Sequence, residues 1–120
     1  MILILGGTTE GRKVVGIAEE AGKPYYYSTK GDEQEISLQH GIRLTGALTQ
    51  TTMKAFCREN GIRLLVDAAH PFAEQLHATV TAVSQALGIP CVRYERMYDD
   101  LFKLFNEEMY DEYPLKLREK

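Results

Sequence analysis

The sequence lacks most of the features that mark disulfide-rich, zinc-binding or membrane-spanning proteins. It has two cysteines among 120 residues, and Cys57 and Cys91 stand far apart with no C-x-x-C pair, so neither a disulfide framework nor a zinc site is indicated. No apolar run approaches the ~20 residues that a membrane-spanning helix needs. The first residues already have the pattern of a core strand, which leaves no room for a signal peptide and predicts a cytoplasmic protein.

Positive charge is also scarce. The chain has 14 Lys and Arg against 17 Asp and Glu, and its formal net charge is −3. Nonspecific nucleic-acid binding needs a basic surface, so the charge balance argues against that class of partner. A hydrophobic share of 44% and a charged share of 26% are ordinary for a globular protein of one domain.

The features that are present begin with a strand, a glycine turn and a helix. Ile2–Leu5 is a run of four apolar residues, which is typical of a buried parallel strand. Gly6 and Gly7 end this strand, and apolar residues at helical spacing follow from Val14 to Ala21. This order opens a dinucleotide-binding βαβ unit, in which backbone amides at a helix N-terminus hold a phosphate.

The match to the dinucleotide-binding fingerprint is partial. Gly6 and Gly11 occupy the first and third glycine positions of G-x-G-x-x-G, whereas Thr8 takes the middle position. A P-loop is disfavoured because Arg12-Lys13 stands where Lys followed by Ser or Thr is required. The predicted phosphate-binding residues are Gly6, Gly7, Thr8, Thr9, Glu10, Gly11 and Arg12. Thr8 or Thr9 caps the helix or donates a hydroxyl to phosphate; the alternative is a glycine turn that only lets strand and helix pack.

Strands and helices alternate along the rest of the chain. Strands are predicted at residues 2–5, 25–29, 41–46, 63–67 and 90–94, and helices up to residue 21 and over residues 51–60 and 71–87. The polar residues 33–39 form either a short extra strand or an irregular excursion. This alternation predicts an α/β fold, a Rossmann-like parallel sheet with helices on both faces. Ligands bind at the carboxyl ends of such strands, which places Gly6–Arg12, Ser28–Lys30, Thr45–Ala47 and Asp67–Phe72 along one edge.

The second informative stretch is Asp67–Phe72. Pro71 is predicted as the first residue of a helix, with His70 exposed at its cap, where the positive helix end favours a neutral ring. A neutral His70 can hydrogen-bond a carboxylate or amide of a ligand, and Asp67 either orients it or only completes the turn. Asp67 after a strand also resembles a phosphorylation receiver, but that class needs acids where this chain has Gly6-Gly7. The predicted buried helix face consists of Phe72, Leu76, Val80, Val83 and Leu87.

No metal site is predicted, although three potential ligands lie close together in this helix. His70, Glu74 and His77 fall on nearly one face, but their spacing matches no known metal motif.

Three segments together resemble the amino-terminal domain of precorrin-6A reductase, an enzyme of the cobalamin (corrin) pathway. These segments are Leu5–Arg12, Asp67–Ala73 and Arg93–Arg96, and the resemblance covers residues 1–97. It implies NADPH-dependent reduction of one double bond in the precorrin-6A macrocycle, with the glycine loop against the cofactor phosphates and the substrate between two lobes. Asp67 and His70 are then expected to contact the substrate or the nicotinamide, without an assigned proton donor.

Two departures from the family limit this expectation. Ala69 stands where the family more usually has threonine, and an acidic segment, residues 98–120, follows where the family continues into a second lobe. We therefore expect a dinucleotide-binding domain over residues 1–97 and a terminal helix or tail over 98–120, without the second lobe. The alternative function is a non-catalytic nucleotide-binding or interaction domain, and a missing lobe would allow a compensating homodimer.

The terminal segment has an apolar stripe that needs a docking surface. Leu101, Leu104, Phe105 and Met109 lie on roughly one helical face, and Pro114 should interrupt the helix. We expect this face to be buried against its own domain or against a second copy of the chain.

The end of the second strand predicts which cofactor is bound. NAD-selective domains place an acid there, about 20 residues beyond the glycine turn, to bind the ribose 2′-hydroxyl. This chain has Ser28, Thr29 and Lys30 instead, and its first acid is Asp32. Two hydroxyls and an ammonium suit a 2′-phosphate, so NADPH is expected over NADH. The alternative is that Lys30 is a solvated turn residue.

Overall fold

The computed structural model of the chain describes residues 1–31, 34–94 and 98–107. The strands are β1 (Ile2–Leu5), β2 (Tyr25–Thr29), β3 (Gly41–Thr45), β4 (Leu64–Asp67) and β5 (Cys91–Arg93). The helices are α1 (Thr9–Ala21), α2 (Gln50–Glu59), α3 (Glu74–Leu87) and α4 (Tyr98–Glu107). The described residues 34–40 contain no strand, so this segment is the irregular excursion and not the short extra strand.

The five strands form one parallel sheet in the order β3-β2-β1-β4-β5. From central β1 the chain builds outward through β2 to β3, then crosses to the other side of β1 and continues through β4 to β5. The strand order therefore reverses between β1 and β4, and this switch point is where open α/β sheets bind ligands. The predicted Rossmann-like α/β fold is confirmed.

Helices cover both faces of the sheet, as predicted. The alternation of side chains along β1 sends Ile2 and Ile4 into a core with α1 and α4, and Leu3 and Leu5 into a core with α2 and α3. All four side chains are at most 2% exposed. A strand buried on both faces has to be apolar at every position, and this requirement explains the unbroken run Ile2–Leu5.

Local signals account for the ends of the first two helices. Gly22 ends α1 with φ 67°, the left-handed conformation that glycine adopts without strain. Thr49 and Thr52 form a reciprocal capping box at the start of α2.

The start of α3 differs from the prediction. The helix begins at Glu74 and not at Pro71, and Phe72 is 86% exposed rather than buried. Side-chain bonds replace the first helical turn: Asp67 Oδ1 accepts from the Ala69 N–H at 3.2 Å, and His70 Nδ1 accepts from the Phe72 N–H at 3.1 Å. Such bonds compete with helix formation. The rest of the predicted face is correct, since Val80 and Val83 are buried and Leu76 and Leu87 pack against them.

Helix α4 docks on α1 of its own chain. Leu101, Leu104 and Phe105 are at most 1% exposed and belong to the same core as Val14 of α1. The apolar stripe is therefore buried against its own domain, which was the first of the two predicted docking surfaces. Met109 and Pro114 lie outside the described residues, and the division of the chain at residue 97 stays a prediction.

Candidate functional site

A cleft of about 900 Å³ opens at the carboxyl ends of the strands. Its wall comes from four segments at the predicted sheet edge, residues 5–8 at the end of β1, 28–31 at the end of β2, 46–50 after β3 and the region from 69 to 79, together with Gln34 from the excursion before β3. The structure thus brings together Gly6, Gly7, Thr8, Ser28, Thr29, Lys30 and His70. Thr9, Glu10, Gly11 and Arg12 lie outside the wall, in the first turn of α1, and Asp67 is buried at 4% exposure.

Tyr27 of β2 packs against the glycine loop, the segment between β1 and α1 that contains Gly6 and Gly7. A Cβ atom at Gly6 or Gly11 would come closer than 3.0 Å to the Tyr27 side chain, so any larger residue would displace that ring. Gly7 has φ 109° and donates its N–H to Tyr27 Oη at 2.9 Å. Packing of strand, ring and helix therefore accounts for Gly6 and Gly11. The amides of Thr9 and Glu10 have no acceptor within the helix, which leaves them for an anion.

Thr8 stands at the N-cap of α1 but does not cap it. Its hydroxyl donates to the carbonyl of Ala68 at 3.1 Å, and no hydrogen bond from the Thr8 side chain caps the helix. Ala68 follows β4, so this bond joins the loops on the two sides of the switch point. The predicted cap is thus replaced by a link across the cleft floor, and Thr9, the other capping candidate, is the exposed first residue of the helix.

Contrary to the prediction from the sequence, the hydroxyls at the end of β2 do not both point to a ligand as donors. Thr29 Oγ1 donates to the carbonyl of Gly31 at 2.5 Å and accepts from Arg43 Nε and Nη2 at 3.2 and 3.0 Å. The single proton of this hydroxyl is therefore used inside the protein. Ser28 is only 6% exposed, whereas Lys30 is exposed on the cleft wall. Arg43 supplies a second positive charge that sequence reasoning missed, since a lone arginine in an edge strand carries no signal.

Asp67 pairs with His77 and not with His70. His77 Nδ1 lies 2.5 Å from Asp67 Oδ2, and His77 Nε2 lies 2.9 Å from the carbonyl oxygen of His70. A carbonyl can only accept, so His77 Nε2 is the donor to His70, and His77 Nδ1 faces the Asp67 carboxylate. This pair fixes the backbone of the 67–77 turn. It also engages both ring nitrogens of His77, which leaves neither of them open toward His70 and Glu74 in this arrangement.

His70 is exposed and keeps one ring nitrogen for a ligand. Its Nδ1 accepts from the Phe72 N–H, so the neutral ring carries its proton on Nε2. The rings of His70 and Phe72 lie 5.1 Å apart between centroids, both on the cleft wall. Helix α3 begins four residues later, so His70 lies in a turn and not at the helix cap that the sequence predicted.

In the parts of the chain that the structure describes, no three His, Cys, Asp or Glu side chains converge as metal ligands. Among the same residues, no helix combines the length and apolar character needed to cross a membrane.

Comparison with known proteins gives concordant results from sequence and structure. The family model described as "Precorrin-6x reductase CbiJ/CobK" matches residues 1–110. The chain is 34% identical over 99 residues to cobalt-precorrin-6A reductase of Priestia megaterium, covering 80% of this chain and 38% of the relative. It is 32% identical over 98 residues to cobalt-precorrin-6A reductase of Synechocystis sp., covering 79% and 38%.

A solved structure shows the same fold. The protein described as "CobK precorrin-6A reductase" superposes with a TM-score of 0.71 at 26% identity, covering 79% of this chain and 38% of the other. The chain therefore spans about 38% of the length of these relatives.

Proposed function

The chain belongs to the precorrin-6x reductase family, and we propose that it binds NADPH in the switch-point cleft as the cofactor half of a precorrin-6A reductase. The observation that carries this proposal is the meeting of the glycine loop, the α1 N-cap residue Thr8 and Lys30 at one cleft. The relatives are named as reductases, which implies a nicotinamide cofactor. Preference for NADPH rests on the residues at the end of β2.

The described residues fit such a cofactor. A cleft of about 900 Å³ is within the usual range of ligand sites, about 300–1,000 Å³. The first-turn amides of α1 offer donors to a diphosphate. Lys30 is exposed where the ribose 2′-position lies in this fold. Glu74 is the one acid among the described wall residues, and it belongs to α3; Asp32 and Glu33 lie outside the described residues.

Each part of the wall has a task in this proposal. NADPH supplies a hydride when bound, and reduction of a macrocycle double bond is completed by a proton. Lys30 attracts the 2′-phosphate, and α1 orients the diphosphate. His70 presents Nε2–H to the nicotinamide or the macrocycle. Asp67 acts through His77, which holds the carbonyl of His70 and so fixes that residue's place on the wall.

The second candidate function is a nucleotide-binding module without catalysis of its own. The observation in its favour is that the chain spans about 38% of the length of its relatives. The precorrin substrate, the cytoplasmic location and a compensating homodimer all stay predictions.

One titration and one turnover assay separate these functions. The chain is titrated with NADPH and with NADH, and cofactor oxidation is then followed with and without precorrin-6A. Oxidation that depends on the substrate supports the reductase, whereas NADPH binding without turnover supports the module. If neither cofactor binds, the proposed function is wrong. Equal affinity for both cofactors contradicts only the preference for NADPH.

A further inference from the structure

Tyr27 lies between the two parts of the proposed cofactor site. Its side chain is fully buried in β2. The phenol oxygen accepts from the Gly7 N–H at 2.9 Å and donates to Gln34 Oε1 at 2.5 Å. One hydroxyl thus serves as acceptor for the glycine loop and as donor to the segment that follows β2.

Gln34 extends this connection in two directions. Its Nε2 donates to the carbonyl of Thr8 at 3.0 Å, which gives the glycine loop a second attachment. Its backbone carbonyl accepts from Arg43 Nη1 at 2.6 Å. Arg43 in turn holds Thr29 Oγ1 and lies 5.8 Å from the centroid of the Tyr27 ring. A continuous chain of contacts therefore runs from Gly7 to the residue beside Lys30.

This connection changes which amides can hold a phosphate. The Gly7 N–H is bonded to Tyr27, so an anion at the loop has to use the amides at the start of α1. The orientation of those amides depends on the loop, and the loop is held by Tyr27 and Gln34. Burial raises the pKa of Tyr27, although the Gly7 N–H and the Arg43 charge oppose this effect, so the phenol keeps its proton and stays a donor.

We infer that Tyr27 is a positioning residue of the dinucleotide site, which fixes the glycine loop and, through Gln34 and Arg43, couples it to the Thr29–Gly31 segment. This inference rests on the proposed function, since it assumes that the cleft takes a nicotinamide dinucleotide. Tyr27 contacts the loop and not the cofactor. Its hydroxyl therefore affects affinity only through the position of other groups.

Tyr27→Phe tests the inference, with Tyr25→Phe as the matched control. Both tyrosines are buried in β2 and donate to a side chain, but Tyr25 bonds Glu19 at 2.6 Å, and neither residue belongs to the cleft wall. Tyr27→Phe is expected to weaken NADPH and NADH binding alike by about threefold to tenfold, the worth of one hydrogen bond. Tyr25→Phe is expected to leave both dissociation constants within about twofold, although it also loses a buried hydrogen bond.

A double-mutant cycle gives the second measurement. Gln34→Met keeps the length of the side chain and removes its amide, so its loss of NADPH affinity should overlap with that of Tyr27→Phe rather than multiply with it. Additive losses, or a Tyr27→Phe variant that binds NADPH as tightly as the native chain, would overturn the inference. A native chain that binds neither cofactor would instead refute the proposed function. If Tyr27→Phe does not fold, Gln34→Met alone decides: unchanged affinity contradicts the coupling.

Discussion

Two positive charges meet at the end of β2, and they differ in how they are held. Arg43 donates to Thr29 Oγ1 and to the carbonyl of Gln34, so its position is fixed by the protein. Lys30 is exposed on the cleft wall and can move to meet a phosphate. Such a pair supplies charge from the arginine and adaptable contact from the lysine.

Lys30→Glu is expected to lower the affinity for NADPH by about tenfold or more, because an attraction to the 2′-phosphate becomes a repulsion. The affinity for NADH should change little, since that cofactor has a hydroxyl there. Lys13→Glu makes the same charge change on an exposed lysine of α1 outside the cleft wall and serves as the control. Titration of both cofactors gives the result. If the Lys30→Glu variant keeps its preference for NADPH, Lys30 does not bind the 2′-phosphate and is only a solvated turn residue.

His70→Ala is expected to weaken ligand binding while leaving the fold intact. The ring is exposed and contributes one hydrogen bond to the Phe72 N–H, so the stability cost should be about 1 kcal/mol. His40→Ala, which removes an exposed ring outside the cleft, is the control. Affinity is measured by titration and stability by thermal unfolding. A large loss of stability with unchanged affinity would show that His70 is structural.

At the scale of elements, the two ends of α1 contact different parts of the chain. Its N-terminus faces the glycine loop, and near its C-terminus Glu19 holds β2 and the excursion before β3. Glu19 Oε2 accepts from Tyr25 Oη and from the N–H groups of Gln39 and His40. The middle of the helix is covered by α4. The helix is therefore held in its middle and near its C-terminus by contacts that lie outside the cleft.

Leu104→Ala tests the support that α4 gives to α1. Leu104 is 1% exposed in the core shared by these helices, and truncation of a buried leucine usually costs about 2–5 kcal/mol. Asn106→Ala, an exposed position of the same helix, should change stability by less than about 0.5 kcal/mol. Denaturant unfolding measures both. Equal stability of the two variants would mean that α4 does not stabilise the domain.

The contacts of Glu19 predict a dependence of stability on pH. Burial acts to raise the pKa of Glu19, but hydrogen bonds from Tyr25, His40 and Gln39 outweigh it, so the folded pKa lies below the ordinary 4.5. A lowered folded pKa stabilises the fold above pH 4.5, and this contribution is lost as the pH falls through the folded pKa.

Glu19→Gln should therefore be less stable than the native chain at pH 7, by up to about 1 kcal/mol for this partly solvated carboxylate. The difference should shrink as the pH falls below 4.5, where the unfolded chain takes up the proton, and disappear below the lower folded pKa, where the native side chain is neutral as well. Thermal unfolding from pH 3 to pH 7 measures it. Glu59→Gln, an exposed position on α2, is the control. A difference that does not vary with pH would show that the carboxylate charge is unimportant.

At the scale of the whole molecule, the sheet gathers residues that are far apart in the chain. The loops after β1, β2, β3 and β4 meet at one edge because all five strands are parallel. Thr8 and Ala68 are joined across the switch point by a single hydrogen bond. The relatives are more than twice as long as the matched part. The cleft described here is therefore one wall of the site in our proposal, with Phe72 and His70 exposed on it.

The sequence alone determined the fold class and the edge that carries the site. Ile2–Leu5, the glycine turn and Gly22 are local signals, since each depends on the conformation of a few adjacent residues. Alternation of strands and helices then leaves few topologies, and their carboxyl ends define the ligand edge. The resemblance carried by Leu5–Arg12 and Asp67–Ala73 agrees with the matched family.

Only the tertiary structure decided which side chains hold that edge together. Tyr27 lies 20 residues from Gly7, and His77 lies 10 residues from Asp67. No periodicity of the sequence links such pairs, because they meet through packing of separate elements. The start of α3 was missed for the same reason: bonds made by the side chains of Asp67 and His70 in the folded turn override the signal of a proline at a helix start.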